Sequence, residues 1–245
     1  MFIFSKILKL LKLLQYSLWR KALFHGIAAT TEHQNLIKDT NPETIIDIGS
    51  NKGQFIMLIE QFFPNKIIHS FEPINEMLEK QKNFFKFKKN IFFHNFALGS
   101  EALEREFFIT KRMDSSSFFK INTANTKGYN NSSYKINEHR KINIKTLDEV
   151  LHNKEIIQPV LIKIDVQGFE LEVLKGSEKI LKKTNYLLIE VSNYEMYQKQ
   201  PLKDEIISFL KERDFSIIKQ GPPTNTEVNV IQEDILFYKD TDNKN

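Results

Sequence analysis

Two acidic residues stand beside a glycine-containing turn in the first third of the sequence. Asp47 lies in the apolar run that leads into Gly49, and Glu72 ends the next apolar run, 19 residues after Gly53 (72 minus 53). In nucleoside sites, an acid about 20 residues after such a turn accepts hydrogen bonds from the ribose hydroxyls. The alternative for Glu72 is a solvated strand end or a helix cap. Together with the glycines, the spacing favours a nucleoside site.

The spacing of the glycines indicates which nucleoside this is. A dinucleotide site has the pattern GxGxxG, which leaves room for a pyrophosphate, whereas this turn reads Gly49-x-x-x-Gly53. An acid beside the turn would repel a pyrophosphate but suits a cationic ligand. S-adenosylmethionine carries an ammonium group, a sulfonium and a ribose, and no phosphate. The turn therefore favours a methyltransferase over an NAD-dependent oxidoreductase, which remains an alternative.

Three further acids stand at or just after the ends of later predicted strands. Asp165 follows the apolar run VLIKI, Glu170 opens a predicted helix, and Glu190 lies near the end of YLLIEV. A hydroxyl must lose its proton as it is methylated, and a nearby carboxylate can accept that proton as a general base. We expect Asp165 to be this base, with Glu170 or Glu190 as the second candidate. The helix dipole explains an acid at Glu170 equally well.

Carboxylates at adjacent strand ends could instead bind a hard cation such as Mg²⁺, which prefers oxygen ligands. Asp165 and Glu190 would then be the metal ligands, and we keep this as a minority alternative. The six histidines are dispersed along the chain, which predicts no zinc site.

Two polar segments with embedded aromatic residues follow predicted strands, where acceptor-binding loops should lie. The first contains Ser116 and Ser117, and the second contains Tyr194 and Tyr197. Hydroxyl groups interleaved with aromatic rings suit a sugar, which offers hydroxyls and an apolar ring face. Ordinary loop composition explains these residues equally well.

The remaining sequence predicts the elements that hold these groups. Apolar runs of strand length alternate with segments of helical periodicity. Such alternation indicates one α/β domain with a doubly wound, mostly parallel sheet and an antiparallel edge. We place this domain at residues 41–240, after an N-terminal extension at 1–40. The predicted strands are 45–48, 66–71, 91–99, 104–110, 142–145, 160–165, 186–191, 215–219 and 234–238, and the predicted helices are 55–63, 75–85, 169–183 and 202–213, with a long polar loop at 111–141.

Residues 1–24 predict an amphipathic helix with Lys6, Lys9 and Lys12 on one polar stripe. These lysines interrupt every apolar run, so the segment cannot span a membrane, which takes about 20 apolar residues. It also lacks the apolar stretch and cleavage site of a secretory signal. We expect the helix to dock on the protein's own core or on a dimer partner. The alternative is an interfacial helix that makes a peripheral contact with an anionic membrane.

The composition excludes several classes of function. The 245 residues contain no cysteine, so neither disulfides nor thiolate metal sites are available, which fits a cytoplasmic protein. The formal net charge is only +4 and the lysines are scattered, so charge does not indicate a nucleic-acid partner.

Several motifs, taken in order, resemble those of the FkbM family of S-adenosylmethionine-dependent methyltransferases. They are IIDIGSNKGQF (45–55), SFEP (70–73), NFALG (95–99), TLD (146–148) and LIKIDVQGFE (161–170) followed by VLKG (173–176). The resemblance covers about residues 42 to 239. Its most specific part is the Asp-Val-x-Gly-x-Glu element.

The resemblance implies a Rossmann-like class I methyltransferase fold and a set of cofactor-binding residues. The family typically has alanine where this chain has Ser50, a change that leaves the backbone role of the turn intact. Asn95 and Ala97, at the end of the third strand, would lie near the adenine. The residues that match the cofactor motifs are Asp47, Gly49, Ser50, Asn51, Gly53, Glu72 and Pro73.

We therefore expect a cytoplasmic O-methyltransferase that uses S-adenosylmethionine and methylates a sugar hydroxyl of a glycan, polysaccharide or glycolipid precursor. The acceptor class rests on family analogy and on loop composition. An alternative is a catalytically silent cofactor-binding module docked on a membrane or on a glycan-assembly enzyme. The intact Asp47, Glu72 and Asp165 argue against such silence.

Overall fold

The computed structural model describes residues 2–122, 135–225 and 230–241. Strands and helices alternate through the described part of the chain. The strands are β1 (Thr44–Ile48), β2 (Ile67–Phe71), β3 (Ile91–His94), β4 (Ala97–Leu98), β5 (Leu103–Thr110), β6 (Ile136–Lys145), β7 (Val160–Ile164), β8 (Tyr186–Ser192), β9 (Ser216–Gln220), β10 (Thr224–Asn225) and β11 (Val230–Tyr238). The helices are α1 (Phe2–Gln15), α2 (Ser17–Phe24), α3 (Gln34–Ile37), α4 (Gln54–Phe62), α5 (Asn75–Phe84), α6 (Leu147–Val150), α7 (Glu170–Lys175), α8 (Glu178–Leu181) and α9 (Lys203–Lys211), with 3₁₀ turns at Thr31–His33 and Met113–Ser115.

Within the described residues the main sheet has eight strands, and its order confirms the predicted doubly wound architecture. The strand order is β10-β11-β8-β7-β1-β2-β3, and β9 also pairs with β11. The neighbouring strands β8, β7, β1, β2 and β3 run parallel. β11 is antiparallel to β8 and also pairs antiparallel with β9 and β10, so the antiparallel pairs lie on this side of the sheet, as predicted. Because the chain winds outward in opposite directions from β1 and β7, the sheet has a topological switch point between them. Ligands of such sheets bind at the carboxyl ends of the strands there.

The central strands β1 and β7 are buried on both faces, as their continuous apolar runs predict. Alternate side chains point to opposite faces. Ile46 and Ile162 pack with residues of α7, α8 and α9, whereas Ile45 and Leu161 pack with residues of α2 and α4. Asp47 shares the strand face of Ile45, so it lies on the face covered by the N-terminal segment and α4.

The predicted strand at 91–99 is two strands in different sheets. β3 ends at His94 and adds to the main sheet, whereas β4 begins at Ala97 and pairs parallel with β6. β5 pairs antiparallel with β6 and completes a separate three-stranded sheet. The prediction of a polar loop through residue 141 is therefore wrong from Ile136 onward, where β6 begins. The first half of β6 is exposed, which explains its polar sequence.

The predicted single helix at 169–183 is broken into α7 and α8 at Gly176. A Cβ atom at Gly176 would lie 1.9 Å from the carbonyl oxygen of Gly99, so the backbone passes directly over the turn before β5. The Asp148 carboxylate then accepts hydrogen bonds from the backbone N–H groups of Lys179 and Ile180, at 2.8 and 2.9 Å. These contacts restart the helix in a new direction, and both come from distant parts of the chain.

The N-terminal segment forms two helices that differ in how they pack. In α2, the buried Trp19 donates a hydrogen bond from its indole nitrogen to the carbonyl oxygen of Met57, at 2.9 Å. In α1, Leu13 is buried, but Leu10 and Leu11 are about half exposed. α2 and Leu13 of α1 thus pack on the core as expected, whereas Leu10 and Leu11 face away from it, and the expected alternative of a dimer partner stays a prediction. No helix among the described residues is long and apolar enough to span a membrane. The division of the chain at residue 40 stays a prediction.

Candidate functional site

Asp47 is a fully buried carboxylate at the carboxyl end of β1. Among the described residues, neither of its side-chain oxygens has a hydrogen-bond partner, and the Lys163 ammonium is 3.8 Å from Oδ1, in ion-pair range only. Burial raises the pKa of Asp47 to about 6, although the nearby charge of Lys163 opposes the shift. Buried polar groups without a partner are rare and costly. The site therefore fits a ligand that brings a cationic donor to Asp47.

The turn after Asp47 depends on glycine at two positions. Gly49 has a φ of +77°, and a Cβ atom there would lie 1.9 Å from the carbonyl oxygen of Asp165. Only glycine therefore lets this turn lie directly against the end of β7. Gly53 has a φ of +82° and precedes the first residue of α4. Asn51, with a φ of +49°, belongs to a residue type that tolerates this region.

Glu72 ties the turn to the end of β2. Its Oε2 accepts a hydrogen bond from the backbone N–H of Asn51 at 2.7 Å, and its Oε1 accepts one from Ile74 at 2.8 Å. Burial raises the pKa of Glu72 to about 7, against the effect of these two bonds. Each carboxylate oxygen keeps a second lone pair. Glu72 is thus able to hold the turn and to accept bonds from a ribose at once.

Ser50 points behind the turn. Its hydroxyl oxygen lies 2.8 Å from the Ser70 hydroxyl and accepts a hydrogen bond of 2.8 Å from the amide of Gln81. The same amide nitrogen donates to the backbone carbonyl of Asn51. The serine hydroxyl therefore joins a buried network that braces the turn, which an alanine at this position would lack.

The residues expected near the adenine line the loop between β3 and β4. The exposed Asn95 donates from Nδ2 to the carbonyl oxygens of Glu72 and Pro73, at 3.0 and 3.2 Å. These bonds hold the end of β2 against the end of β3. Ala97 is buried at the start of β4. The structure places Asn95 and Ala97 near the glycine turn. Their contact with an adenine stays a prediction.

Lys163 is a buried cation between two carboxylates, and sequence reasoning missed its importance. It lies opposite Asp47 in the pairing of β1 with β7, and its Nζ is 3.1 Å from Oδ2 of Asp165. Burial alone would lower the pKa of Lys163, but the charges of Asp165 and Asp47 outweigh it and raise the pKa. The signal in the sequence was a single charged residue inside the apolar run VLIKI.

Asp165 is a partly exposed carboxylate at this edge, with a side chain that is 33% exposed. Burial would raise its pKa, but the charge of Lys163 and hydrogen bonds from Gln167 and Lys163 hold the pKa below its ordinary value. Asp165 is therefore ionised at neutral pH and partly open to solvent at the carboxyl edge of the sheet.

Gln167 links the two carboxylates that were the alternative Mg²⁺ ligands. Its Nε2 donates to Oδ1 of Asp165 at 2.8 Å and lies 3.4 Å from Oε2 of Glu190. Its Oε1 lies 2.8 Å from the Tyr197 hydroxyl, which is also 3.0 Å from the Ser115 carbonyl. The ionised carboxylate of Asp165 only accepts hydrogen bonds, so the amide nitrogen of Gln167 must face it. In the described part of the chain, no group of three or more His, Cys, Asp or Glu side chains could hold a metal ion.

The pKa of Glu190 is shifted in the opposite direction to the pKa of Asp165. Burial raises its pKa well above the ordinary value, and the charges of Asp165 and Asp234 add to the shift. Asp234 faces Glu190 directly in the pairing of β8 with β11, and Gln232 donates a bond of 2.9 Å to Oε2. Glu190 thus holds a proton under conditions in which Asp165 is ionised. Carboxyl groups with pKa values pushed apart in this way are typical of acid–base sites.

Glu170 is buried, and its carboxylate holds the turn after β7. Its Oε1 accepts hydrogen bonds from the backbone N–H groups of Gly168 and Val166, at 3.0 and 3.3 Å. The side chain is buried, and burial raises its pKa to about 7. This geometry favours the structural explanation of Glu170 over a role as general base.

The four residues expected to contact the acceptor have different environments. Ser116 is buried and accepts a bond from the backbone N–H of Thr110, and Ser117 donates one of 2.6 Å to the carbonyl of Gln167. Tyr197 is buried against Gln167, whereas Tyr194 is 43% exposed. Ser117 and Tyr197 therefore brace the turn that carries Gln167, Ser116 braces the end of β5, and Tyr194 alone of these four is exposed.

A cavity of about 260 Å³ adjoins this turn. Its walls include Phe119, Gly168, Leu171, Lys199 and Gln200, which combine an aromatic ring, an aliphatic side chain and polar groups. On the far side of Glu190, the buried His33 of the N-terminal segment lies 3.1 Å from Oδ2 of Asp234. No pattern in the sequence indicated His33, because the contact depends on tertiary packing.

A family model described as the methyltransferase FkbM domain matches residues 47–217 of this chain. The hexuronic acid methyltransferase AglP of Haloferax volcanii is 30% identical over 96 residues. That alignment covers 36% of this chain and 40% of AglP, so the chain spans less than half the length of this relative.

Solved structures of methyltransferases resemble the chain at low sequence identity. An rRNA methylase from Streptococcus thermophilus has a TM-score of 0.47 at 12% identity, over 84% of this chain and 93% of its own. The magnesium protoporphyrin IX methyltransferase of Synechocystis, with bound S-adenosylmethionine, has a TM-score of 0.46 at 11% identity, over 85% of this chain and 80% of its own.

Proposed function

This chain belongs to the FkbM family of methyltransferases, and from that premise we propose that it transfers a methyl group to a sugar hydroxyl. The chain is an S-adenosylmethionine-dependent methyltransferase. The acceptor, a hydroxyl of a glycan, polysaccharide or glycolipid precursor, is our proposal. The observation that carries it is the ionised, partly exposed Asp165, held by Lys163 and Gln167 at the carboxyl edge of the sheet.

The residues around the glycine turn fit the cofactor. The Asp47 carboxylate, which has no hydrogen-bond partner among the described residues, would accept hydrogen bonds from the ammonium group at the methionine end. The carboxylate of Glu72 would accept bonds from the ribose hydroxyls through its remaining lone pairs. When bound there, S-adenosylmethionine supplies an electrophilic methyl group attached to a sulfonium.

Asp165 would act as the general base for the acceptor. A hydroxyl gives up its proton as its oxygen forms the new bond to carbon, and the Asp165 carboxylate takes that proton. Lys163 and Gln167 keep Asp165 ionised and fix both of its oxygens. Burial raises the pKa of Glu190 beside Gln167 well above its ordinary value, so Glu190 is less readily ionised than Asp165 and less suited to the same role.

The sugar assignment has two supports. AglP, the relative that matches part of this chain, is a hexuronic acid methyltransferase. The cavity beside the Gln167 turn offers an aromatic ring together with polar groups, which suits the apolar face and the hydroxyls of a sugar. In this proposal, residues 47–97 hold the cofactor, and the segment after β7 receives the acceptor.

The test is a transfer reaction with a methyl donor labelled in its methyl group. The purified enzyme is incubated separately with polysaccharide, glycolipid, RNA and protein fractions of cells, and the products are hydrolysed and analysed by mass spectrometry. We expect a labelled methyl ether on a monosaccharide, formed at least about 100-fold more slowly by the Asp165→Asn enzyme. Label found in RNA or protein, with none on sugars, would contradict the proposal.

Asp47→Asn should raise the dissociation constant of S-adenosylhomocysteine at least about tenfold, because a hydrogen bond to a charged group contributes about 1.5–3 kcal/mol. Isothermal calorimetry measures this constant.

The wild-type affinity for S-adenosylhomocysteine should also fall as the pH drops below about 6, where the buried Asp47 becomes protonated. The variant should show a flatter pH profile. Asp204→Asn, at an exposed position on α9, is the control. Equal affinities of wild type and variant would remove Asp47 from the cofactor site.

Tyr197→Phe should lower kcat by about three- to tenfold and leave cofactor affinity unchanged, because small losses of orientation weaken a positioned base. Without the hydroxyl, the Gln167 amide is free to turn away from Asp165. The pKa of Asp165 should then rise, and the acidic limb of the kcat–pH profile should move to higher pH. A purely structural role would leave that limb in place. Tyr186→Phe, at the opposite edge of the sheet, serves as the control.

A further inference from the structure

Five apolar side chains on α1 face away from the protein. Their exposed fractions lie between 45 and 54%. At 3.6 residues per turn these side chains cover an arc of about 160° around the helix. The buried Leu13 and the ion-paired Lys9 lie on the opposite side. The five residues, which we name the outer face of α1, are Ile7, Leu8, Leu10, Leu11 and Leu14.

The charges within the segment that contains the outer face of α1 are all of one sign. Residues 7–24 contain four basic residues and no acid. Lys9 is bound to Glu32 at 2.9 Å, whereas Lys12 and Lys21 are exposed. A broad apolar arc with basic flanks is typical of a helix that lies in the surface of an anionic membrane. A helix-pairing seam between two copies would be narrower.

The position of α1 relates this face to the proposed site. Lys12 lines a groove of about 540 Å³ together with Thr31, Lys219 and Gly221. β9 runs parallel to the central strands, because it is antiparallel to β11 and β11 is antiparallel to β8. Gly221, which follows β9, therefore lies at the carboxyl edge of the sheet. α1 flanks the same edge that carries Asp165.

We propose that α1 docks the protein on an anionic phospholipid bilayer. The helix lies flat in the membrane surface, with its outer face in the acyl boundary and Lys12 and Lys21 against the headgroups. Two forces add in this arrangement: burial of apolar area and attraction between basic side chains and anionic lipids. Docking in this way brings the carboxyl edge of the sheet close to the membrane.

The experiment is flotation of the full chain with vesicles of phosphatidylcholine and phosphatidylglycerol, compared with vesicles of phosphatidylcholine alone. We expect the wild type to float with the anionic vesicles. Leu10→Glu/Leu11→Glu should lower the partition coefficient at least about tenfold, because two leucines no longer enter the lipid. Lys12→Glu/Lys21→Glu should lower binding to the anionic vesicles alone, and added salt should weaken wild-type binding.

The matched control is Phe87→Glu/Ile157→Glu, which replaces two exposed apolar residues far from α1 in the sequence. It should bind vesicles like the wild type. The leucines changed in the test variant are exposed, so the fold should be kept, which circular dichroism and calorimetry with S-adenosylhomocysteine check. The proposal is overturned if the wild type does not float, or if the leucine variant floats equally well. It is also overturned if sedimentation shows a dimer that the leucine variant abolishes, with no vesicle binding.

Discussion

The Asp165→Asn enzyme is expected to lose about 10²- to 10⁴-fold in kcat, the range that a positioned general base contributes. The asparagine has nearly the same shape and can still accept a bond from Lys163, but its amide cannot take the proton of a hydroxyl. The glycine turn, Asp47 and Glu72 are untouched, so the dissociation constant of the cofactor should change little. The variant therefore separates the loss of the general base from a loss of cofactor binding.

Two measurements check this expectation. Calorimetry with S-adenosylhomocysteine reports cofactor binding. Single-turnover transfer of the labelled methyl group to the sugar acceptor reports the chemical step. Asp204→Asn removes an exposed acid and should match the wild type in both. If Asp165→Asn retains wild-type turnover, Asp165 is not the base. A variant that loses cofactor affinity as well would instead assign Asp165 to the binding site.

The sequence predicted the main sheet well, because its signals are local. The apolar runs of β1 and β7 are buried on both faces, and continuous apolar runs of strand length predict this. The placement of Asp47, Asp165 and Glu190 at one edge followed from the parallel order of the strands. Asp165 and Glu190 come within reach of one amide group, as their neighbouring strand ends suggested.

The errors in the fold arose where distant segments decide the local structure. Helical periodicity continues through Gly176, but the backbone there packs on Gly99 and the chain must bend. Asp148 then caps α8 from another part of the sequence. In the same way, the polar half of β6 is a strand because it pairs with β5, and no alternation of its own indicates this.

The sequence indicated the acids that lie at this edge of the sheet, but it did not indicate the side chains that contact them. Ser116, Ser117 and Tyr197 drew attention as polar residues in loops, but composition cannot distinguish a side chain that binds a ligand from one that braces a turn. Gln167 occupies a variable position of the family motif, and its role depends on a φ of +57° and on two carboxylates from different strands. His33 contacts the site only through the packing of the N-terminal segment.

Lys163→Met should lower the free energy of unfolding by about 3 kcal/mol at pH 8, because removing one partner leaves a buried charge uncompensated. Methionine has a similar length, so lost packing contributes little. Burial already raises the pKa of Asp47 to about 6 in the presence of Lys163, and removing the lysine raises it further. Asp165 is partly exposed and keeps much of its hydration. Urea unfolding at several pH values measures the effect.

The stability difference between Lys163→Met and the wild type should depend on pH in a definite direction. A carboxyl group whose folded pKa is raised binds more protons in the folded state than in the unfolded one, so its contribution to stability falls as the pH rises. For Asp47 in the wild type this loss occurs between about pH 4, near the ordinary value, and about pH 6. In Lys163→Met the loss should extend to higher pH, so the variant should be closer to wild type at pH 5 than at pH 8.

A second substitution separates the charge from the packing. Asp47→Asn removes the uncompensated carboxylate, so the double variant Lys163→Met/Asp47→Asn should be more stable at pH 8 than Lys163→Met alone. The two residues face each other on β1 and β7, and their effects should therefore not add. If the double variant is less stable by the sum of the single effects, at every pH, then Lys163 stabilises the strand by packing alone. The buried cation would then have no part in holding the carboxylates of the site.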